Sequence, residues 1–297
     1  MLVRVGFTAS FIALCAAPAV AQGFGVDGLH VETGGKLRLT RGISTVEGQG
    51  GGGLTPWATI TGDETNRGIG ASAHATTVEL PDYGFISYGV AVGAFDRVEL
   101  SYTREEFDTR DVGTTLGLGQ GFTFGQDVFG AKLKLTGDAV YAQDTWVPQV
   151  AVGANWKRND RQAVVQAIGA KDAEGWEAYA SATKILLDQS LLLNGTLRWT
   201  NANQTGLLGF GGDKQEDHEL AAEASVGWLV NRHLLVGGEY RMKPDNLRIA
   251  QEDDWLDLFA AWSISRMLTL TGAYADLGSI ATFEDQRGVY LSLQAGF

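Results

Sequence analysis

The 297-residue chain is poor in cysteine, proline and basic side chains. Its single thiol, Cys15, excludes an internal disulfide and leaves no cysteine pair for a metal. Only 23 Lys and Arg stand against 35 Asp and Glu, a formal net charge of −12, the wrong sign for a nucleic-acid partner. Five prolines accompany 40 glycines, a balance that suits many strands and turns and works against long helices. Past residue 22, no apolar run approaches the roughly 18 to 20 residues of a spanning helix. Without such a helix, only a sheet closed into a barrel could pair every backbone group inside hydrocarbon. A hydrophobic share of 44% and a mean hydropathy of −0.04 look soluble, but a barrel's polar lumen cancels its lipid face in such averages.

Residues 1–22, MLVRVGFTASFIALCAAPAVAQ, place Arg4 before an apolar run from Val5 to Val20 and close with Ala19-Val20-Ala21. This is the pattern of a secretory signal peptide, with cleavage expected between Ala21 and Gln22. Cleavage removes Cys15 and one positive charge, taking the net charge to −13. Leu14 stands where a lipidation motif has Gly, Ala or Ser, so Cys15 reads as part of the signal.

At the other end, Val289, Leu291, Leu293, Ala295 and Phe297 share one face of a strand while Tyr290, Ser292 and Gln294 share the other. A closing strand with a final Phe resembles the sorting signal of Gram-negative outer-membrane barrels, which assigns that role to Tyr290 and Phe297. Similar alternation recurs upstream, as in Leu191 to Trp199, Leu220 to Trp228, Leu234 to Met242 and Leu268 to Tyr274. Two-residue polar breaks at Asp96-Arg97, Gly137-Asp138, Asn159-Asp160, Asp188-Gln189, Asn231-Arg232 and Ser265-Arg266 predict short periplasmic turns, with longer polar stretches between them as outer loops. The sequence thus predicts an all-β transmembrane antiparallel barrel of about 14 strands, beginning at Gly68. Lys36 to Arg41 and Trp57 to Thr61 could raise the count to about 16, and losing the weak segments Ala139 to Gln143 and Ala163 to Lys171 would lower it to about 12. Tyr83, Tyr88, Trp146, Trp156, Trp176, Trp199, Trp228, Trp255 and Tyr274 fall near strand ends, where headgroup-level girdles form.

Within residues 22–54, read as a periplasmic linker or plug ahead of a barrel at 55–297, the run QGGGGLTPW is the least barrel-like. Gly50, Gly51, Gly52 and Gly53 with Pro56 and Trp57 fit either a flexible linker or an inward-folded constriction. Strand parity directs Glu99, Lys132, Lys134, Glu177, Arg198, Glu223, Glu239, Arg241 and Asp257 into the lumen. A basic side chain facing lipid at mid-depth would cost about 2 to 4 kcal/mol, which enforces that placement. Mixed signs fit a salt-bridged filling or a selective pore lining. His30, His74, His218 and His233 have no metal-ligand spacing. His74 shares a face with Ser72 and Thr76, but side chains two apart on a strand are too distant for a nucleophile and its base. The outer loops carry eleven carboxylates against four bases over Asp108 to Asp111, Asp213 to Asp217, Pro244 to Asp254 and Glu284 to Arg287. Such runs are solvated loops or oxygen ligands for a divalent cation.

The stretches GGKLRLTRGISTVEGQGGGGLTPWATI, YGVAVGAFDRVELSY, GDAVYAQDTWVPQVAVG, SLLLNGTLRWT, YRMKPDNL and DQRGVYLSLQAGF together resemble a family of proteobacterial exported proteins of unknown function thought to be outer-membrane barrels. The resemblance spans nearly all of the chain after the signal. It implies an envelope location and a barrel, and brings no catalytic residue, substrate or cofactor. The expected partners are outer-membrane lipid and lipopolysaccharide and the barrel-assembly machinery. The function expected is a passive channel for small solutes, with a non-conducting structural barrel as the alternative and a lipid-modifying barrel enzyme behind both.

Overall fold

The computed structural model describes residue 34 and residues 36–297, so the expected cleavage site at Ala21 and Gln22 lies outside the described residues. Twelve strands follow one another: β1 (Ile69–Glu79), β2 (Gly84–Ala94), β3 (Val98–Asp108), β4 (Thr123–Thr136), β5 (Gln149–Asn159), β6 (Glu174–Leu186), β7 (Leu191–Thr200), β8 (Glu219–Asn231), β9 (Leu234–Arg241), β10 (Trp255–Ser263), β11 (Leu268–Asp276) and β12 (Arg287–Gly296). Each pairs antiparallel with its neighbours, and β1 pairs with β12 from Ser72↔Gly296 to Glu79↔Val289. The barrel therefore has no free edge.

Alternation decides which side faces in. On β12, Val289, Leu291 and Leu293 are exposed outward, while Tyr290, Ser292 and Gln294 are buried inside. Leu220, Trp228, Leu256, Leu258, Trp262 and Tyr274 continue an outward apolar band around the wall. At mid-depth the inside is lined by Ser, Thr, Asn, Gln and charged side chains, with apolar ones gathered towards both ends. This is the inverted polarity of a barrel meant for hydrocarbon.

The expectation of about 14 strands yields to twelve, because both weak segments fold otherwise. In 139–143 the Asp138 Oδ1 accepts from the backbone N–H of Val140 (2.8 Å) and Tyr141 (2.7 Å), a local turn that competes with a strand. In 163–171 the apolar spacing is helical: after the one-turn α2 (Val112–Thr115), α3 (Gln162–Ala167) forms, with Val165 buried and Val164 and Ile168 packed beside it. Losing both reverses β5. Asn159-Asp160 consequently lies with the long loops, at the end of the barrel opposite the chain terminus, and is not one of the short turns. The end that holds Phe297, here the terminal end, has the connections 95–97, 137–148, 187–190, 232–233 and 264–267; the opposite, distal end has all the rest. Two of the expected girdle aromatics, Tyr83 and Trp255, turn inward and are buried.

Residues 36–64 stay out of the wall and run through the lumen. Only α1 (Arg38–Arg41) is regular, so neither 36–41 nor 57–61 adds a strand. Every residue from Leu39 to Glu64 is buried, so the inserted segment continues well past residue 54. Entry and exit meet at the terminal end, where Gly62 N–H donates to Arg41 O (2.7 Å) and Asp63 N–H to Phe297 O (2.8 Å). Its apex, closed by Val46 N–H to Gly53 O (2.9 Å), reaches an apolar cluster of Val46 and Leu54 with Leu80, Phe107, Leu207 and Leu277 under the distal loops. A second cluster, with Leu39, Ile43 and Trp57 against Ile185, Leu192 and Phe259, seals the other end.

Candidate functional site

The glycines let the segment fit. Gly48 holds φ +93, and a Cβ on Gly52 would lie 1.9 Å from Glu239 Oε1. Without side chains at these points, backbone donors reach the wall directly. Leu54 N–H donates to Glu239 Oε2 (2.8 Å), and Thr55 Oγ1 to Glu239 Oε1 (2.7 Å). Glu99 accepts from Gly50 N–H (2.9 Å) and Thr61 N–H (2.8 Å), while Lys132 Nζ donates to Gly50 O (2.8 Å) and Thr59 O (3.0 Å). Pro56 O accepts from Thr196 Oγ1 (2.9 Å) and Ser181 Oγ (3.1 Å), and Trp57 Nε1 donates to Ser225 Oγ (3.1 Å).

At mid-lumen the segment contributes one carboxylate to three bases. Glu47 Oε1 lies 2.6 Å from Lys157 Nζ and 2.9 Å from Arg241 Nη2, and its Oε2 lies 3.7 Å from Arg198 Nη1. The wall supplies two more acids: Glu177 is 2.9 Å from Lys157 and 2.5 Å from Arg198, and Glu223 pairs with Arg198 and, at 3.6 Å, with Arg241. Side chains of all six are at most 2% exposed, so the cluster is closed to bulk water. Burial alone would raise the Glu47 carboxyl, but Arg241, Lys157 and Arg198 override it and hold it down to about 2. Nearer the terminal end burial wins: the Glu64 carboxyl is pushed up although Lys36 Nζ lies 2.5 Å away.

All nine lumen candidates face inward, as parity requires. Glu177, Arg198, Glu223 and Arg241 join the central cluster; Glu99 with Lys132 and, separately, Glu239 grip the segment; Asp257 Oδ1 accepts from Glu239 N–H (3.1 Å); Lys134 pairs with Asp96 near the terminal rim. Gly50 to Gly53, Pro56 and Trp57 lie in the lumen-filling segment. Tyr290 is buried inside and Phe297 is partly exposed at the terminal rim. Glu47, Glu105 and Lys157 escaped the sequence reading. Parity held the signal for Lys157, since its neighbour Trp156 faces outward. Nothing local marks Glu47. Ser72 accepts from Thr61 and Thr76 bonds Ser292, while His74 Nε2 has no partner among the described residues, so within them the row forms no nucleophile and base pair. In the acidic run, Glu252 pairs with Lys243 (3.0 Å) and Asp253 accepts from Ser279 N–H (2.9 Å), so these carboxylates tie loops together.

A family model described as "Protein of unknown function (DUF3034)" matches residues 40–294. No curated protein matches the chain in sequence. Among solved structures, the chain is similar to the KdgM porin at 8% identity and TM-score 0.50, with 76% of this chain and 99% of that one covered. The NanC porin follows at 9% identity, TM-score 0.48 and 76% and 98% coverage. Outer membrane phospholipase A from Escherichia coli shows 9% identity, TM-score 0.43 and 77% and 92% coverage. At this identity the KdgM likeness speaks to fold alone: a closed barrel of the outer-membrane type.

Proposed function

The chain belongs to this family of unknown function, and we propose that it is an outer-membrane barrel, terminal end towards the periplasm, that works as a small-solute channel held shut by its own inserted segment. The observation that carries this reading is the unbroken buried run Leu39 to Glu64 inside a wall whose facing side chains are hydrophilic at mid-depth, between the two apolar clusters. Segment and wall meet mostly through polar groups, which water can satisfy equally well once they part. A filler meant only for stability gains nothing from a wall that can carry water, and buried ion clusters are a poor source of stability in themselves.

The test is planar-bilayer conductance of refolded protein with and without residues 42–61. That excision joins Arg41 to Gly62, whose backbone O and N already lie 2.7 Å apart, so little strain enters the wall. Intact protein should be closed and the excised barrel open. Neutralising Arg198 and Arg241 in the excised barrel should then shift preference towards cations, less so as salt rises. A folded excised barrel that does not conduct sinks the channel reading. The apolar clusters at both ends of the segment favour the second reading, a permanently sealed structural barrel.

A further inference from the structure

The central cluster has an unusual division of labour. Its three bases, Lys157, Arg198 and Arg241, all belong to the wall, as do Glu177 and Glu223, but the third acid, Glu47, arrives with the segment. With the segment in place the six charges balance. Without Glu47, three wall cations face two carboxylates. Glu105, the other nearby wall carboxylate, is held by Gln126 Nε2 (2.7 Å) and makes no ion pair among the described residues. While the rest of the segment still covers the site, an unpaired charge there is costly, so the position that Glu47 leaves demands an anion.

The geometry names its kind. Glu47 Oε1 is shared by an ammonium at 2.6 Å and a guanidinium N–H at 2.9 Å, with a second guanidinium 3.7 Å from Oε2. Planar guanidinium groups suit a planar two-oxygen acceptor far better than a spherical ion. Arg198 is held in place by Glu177 and Glu223 and lies over the Tyr179 ring (5.3 Å), and Arg241 lies 3.6 Å from Glu223 and over the Trp255 ring (5.8 Å), so the wall builds the receptor in advance. We propose that Lys157, Arg198 and Arg241 form a carboxylate-binding site of the lumen, that Glu47 occupies it as an internal mimic, and that the solutes the channel favours are small carboxylates that replace Glu47. The transport part of this proposal rests on the channel reading above; the site itself does not.

Glu47→Ala tests the site by chemical rescue in the full-length protein. The variant should lose thermal stability, and acetate should restore most of the lost midpoint where chloride at equal ionic strength restores little. Acetate should leave the wild type unchanged, and adding Lys157→Met should abolish the rescue. If Glu47→Ala fails to assemble, Glu47→Ser, which also vacates the position of the carboxylate, carries the same test with formate, and formate acting no better than chloride overturns the site. Equal effects of acetate and chloride, or no loss in Glu47→Ala, also overturn it. The excised barrel separates the two ideas. Conductance that glucuronate reduces more than chloride or glucose supports both; conductance indifferent to glucuronate overturns the transport part alone; rescue without any conductance removes the channel reading and leaves the site.

Discussion

The wall and the segment inside it are held by different kinds of bond. Every strand of the wall is paired to two neighbours through main-chain ladders, such as the eleven-position register of β2 with β3 from Gly84↔Asp108 to Ala94↔Val98. Those bonds hardly depend on which side chains are present. The segment has one four-residue helix, and its grip on the wall comes from particular side chains: Glu47, Glu99, Lys132, Glu239 and Trp57. The wall is robust to substitution and fragile to backbone damage, whereas the segment is open to attack through single side chains.

The largest effect should come from attacking a ladder. Leu291→Pro removes a main-chain donor in the middle of β12, where a closed barrel has no edge to tolerate it. No heat-modifiable barrel should form; normal assembly of this variant would break the comparison. Next comes Trp57→Ala, which empties a buried site in the terminal cluster and strips a donor from Ser225. Loss of about 3 to 5 kcal/mol is expected. It should appear as faster hydrogen exchange within 39–64, with the strands unchanged, and uniform loosening of the strands would show that the two parts are one cooperative unit.

Acid sharpens the same contrast more gently. Because Glu47 sits at about 2 when folded against an ordinary 4.5, its contribution is complete above about 4.5 and disappears as the pH falls towards about 2. Segment protection should decline across that window in the wild type, and Glu47→Gln should lack that component; an identical decline in Glu47→Gln would assign it to other carboxylates. Smallest of all should be epitope tags, which test orientation with almost no cost in stability. Tags at Lys214 and Arg161, both in distal loops, should be reachable on intact cells, and one at Arg232 should not. The reverse pattern would turn the barrel over.

Much of the wall was legible because period-two alternation is a local signal that survives in a single chain. Tyr290 against Leu291, or Arg198 against Leu197, can be assigned a side without knowing anything else. The strand count went astray only where local chemistry outweighed alternation, at the Asp138 turn and the α3 helix. The glycine run announced that something must approach its backbone closely but could not say what. Glu239 beside Gly52 is separated from it by most of the chain, and Glu47 meets Lys157 across 110 positions. Contacts of that kind leave no periodic trace.

Phe297 O accepts from the backbone N–H of both Asp63 (2.8 Å) and Ala71 (3.1 Å). One atom at the very last residue thus serves the seam between β1 and β12 and the return of the segment. The seam of the cylinder and the foot of its cork hang on the same oxygen, and drawing the cork would leave that oxygen to the seam alone.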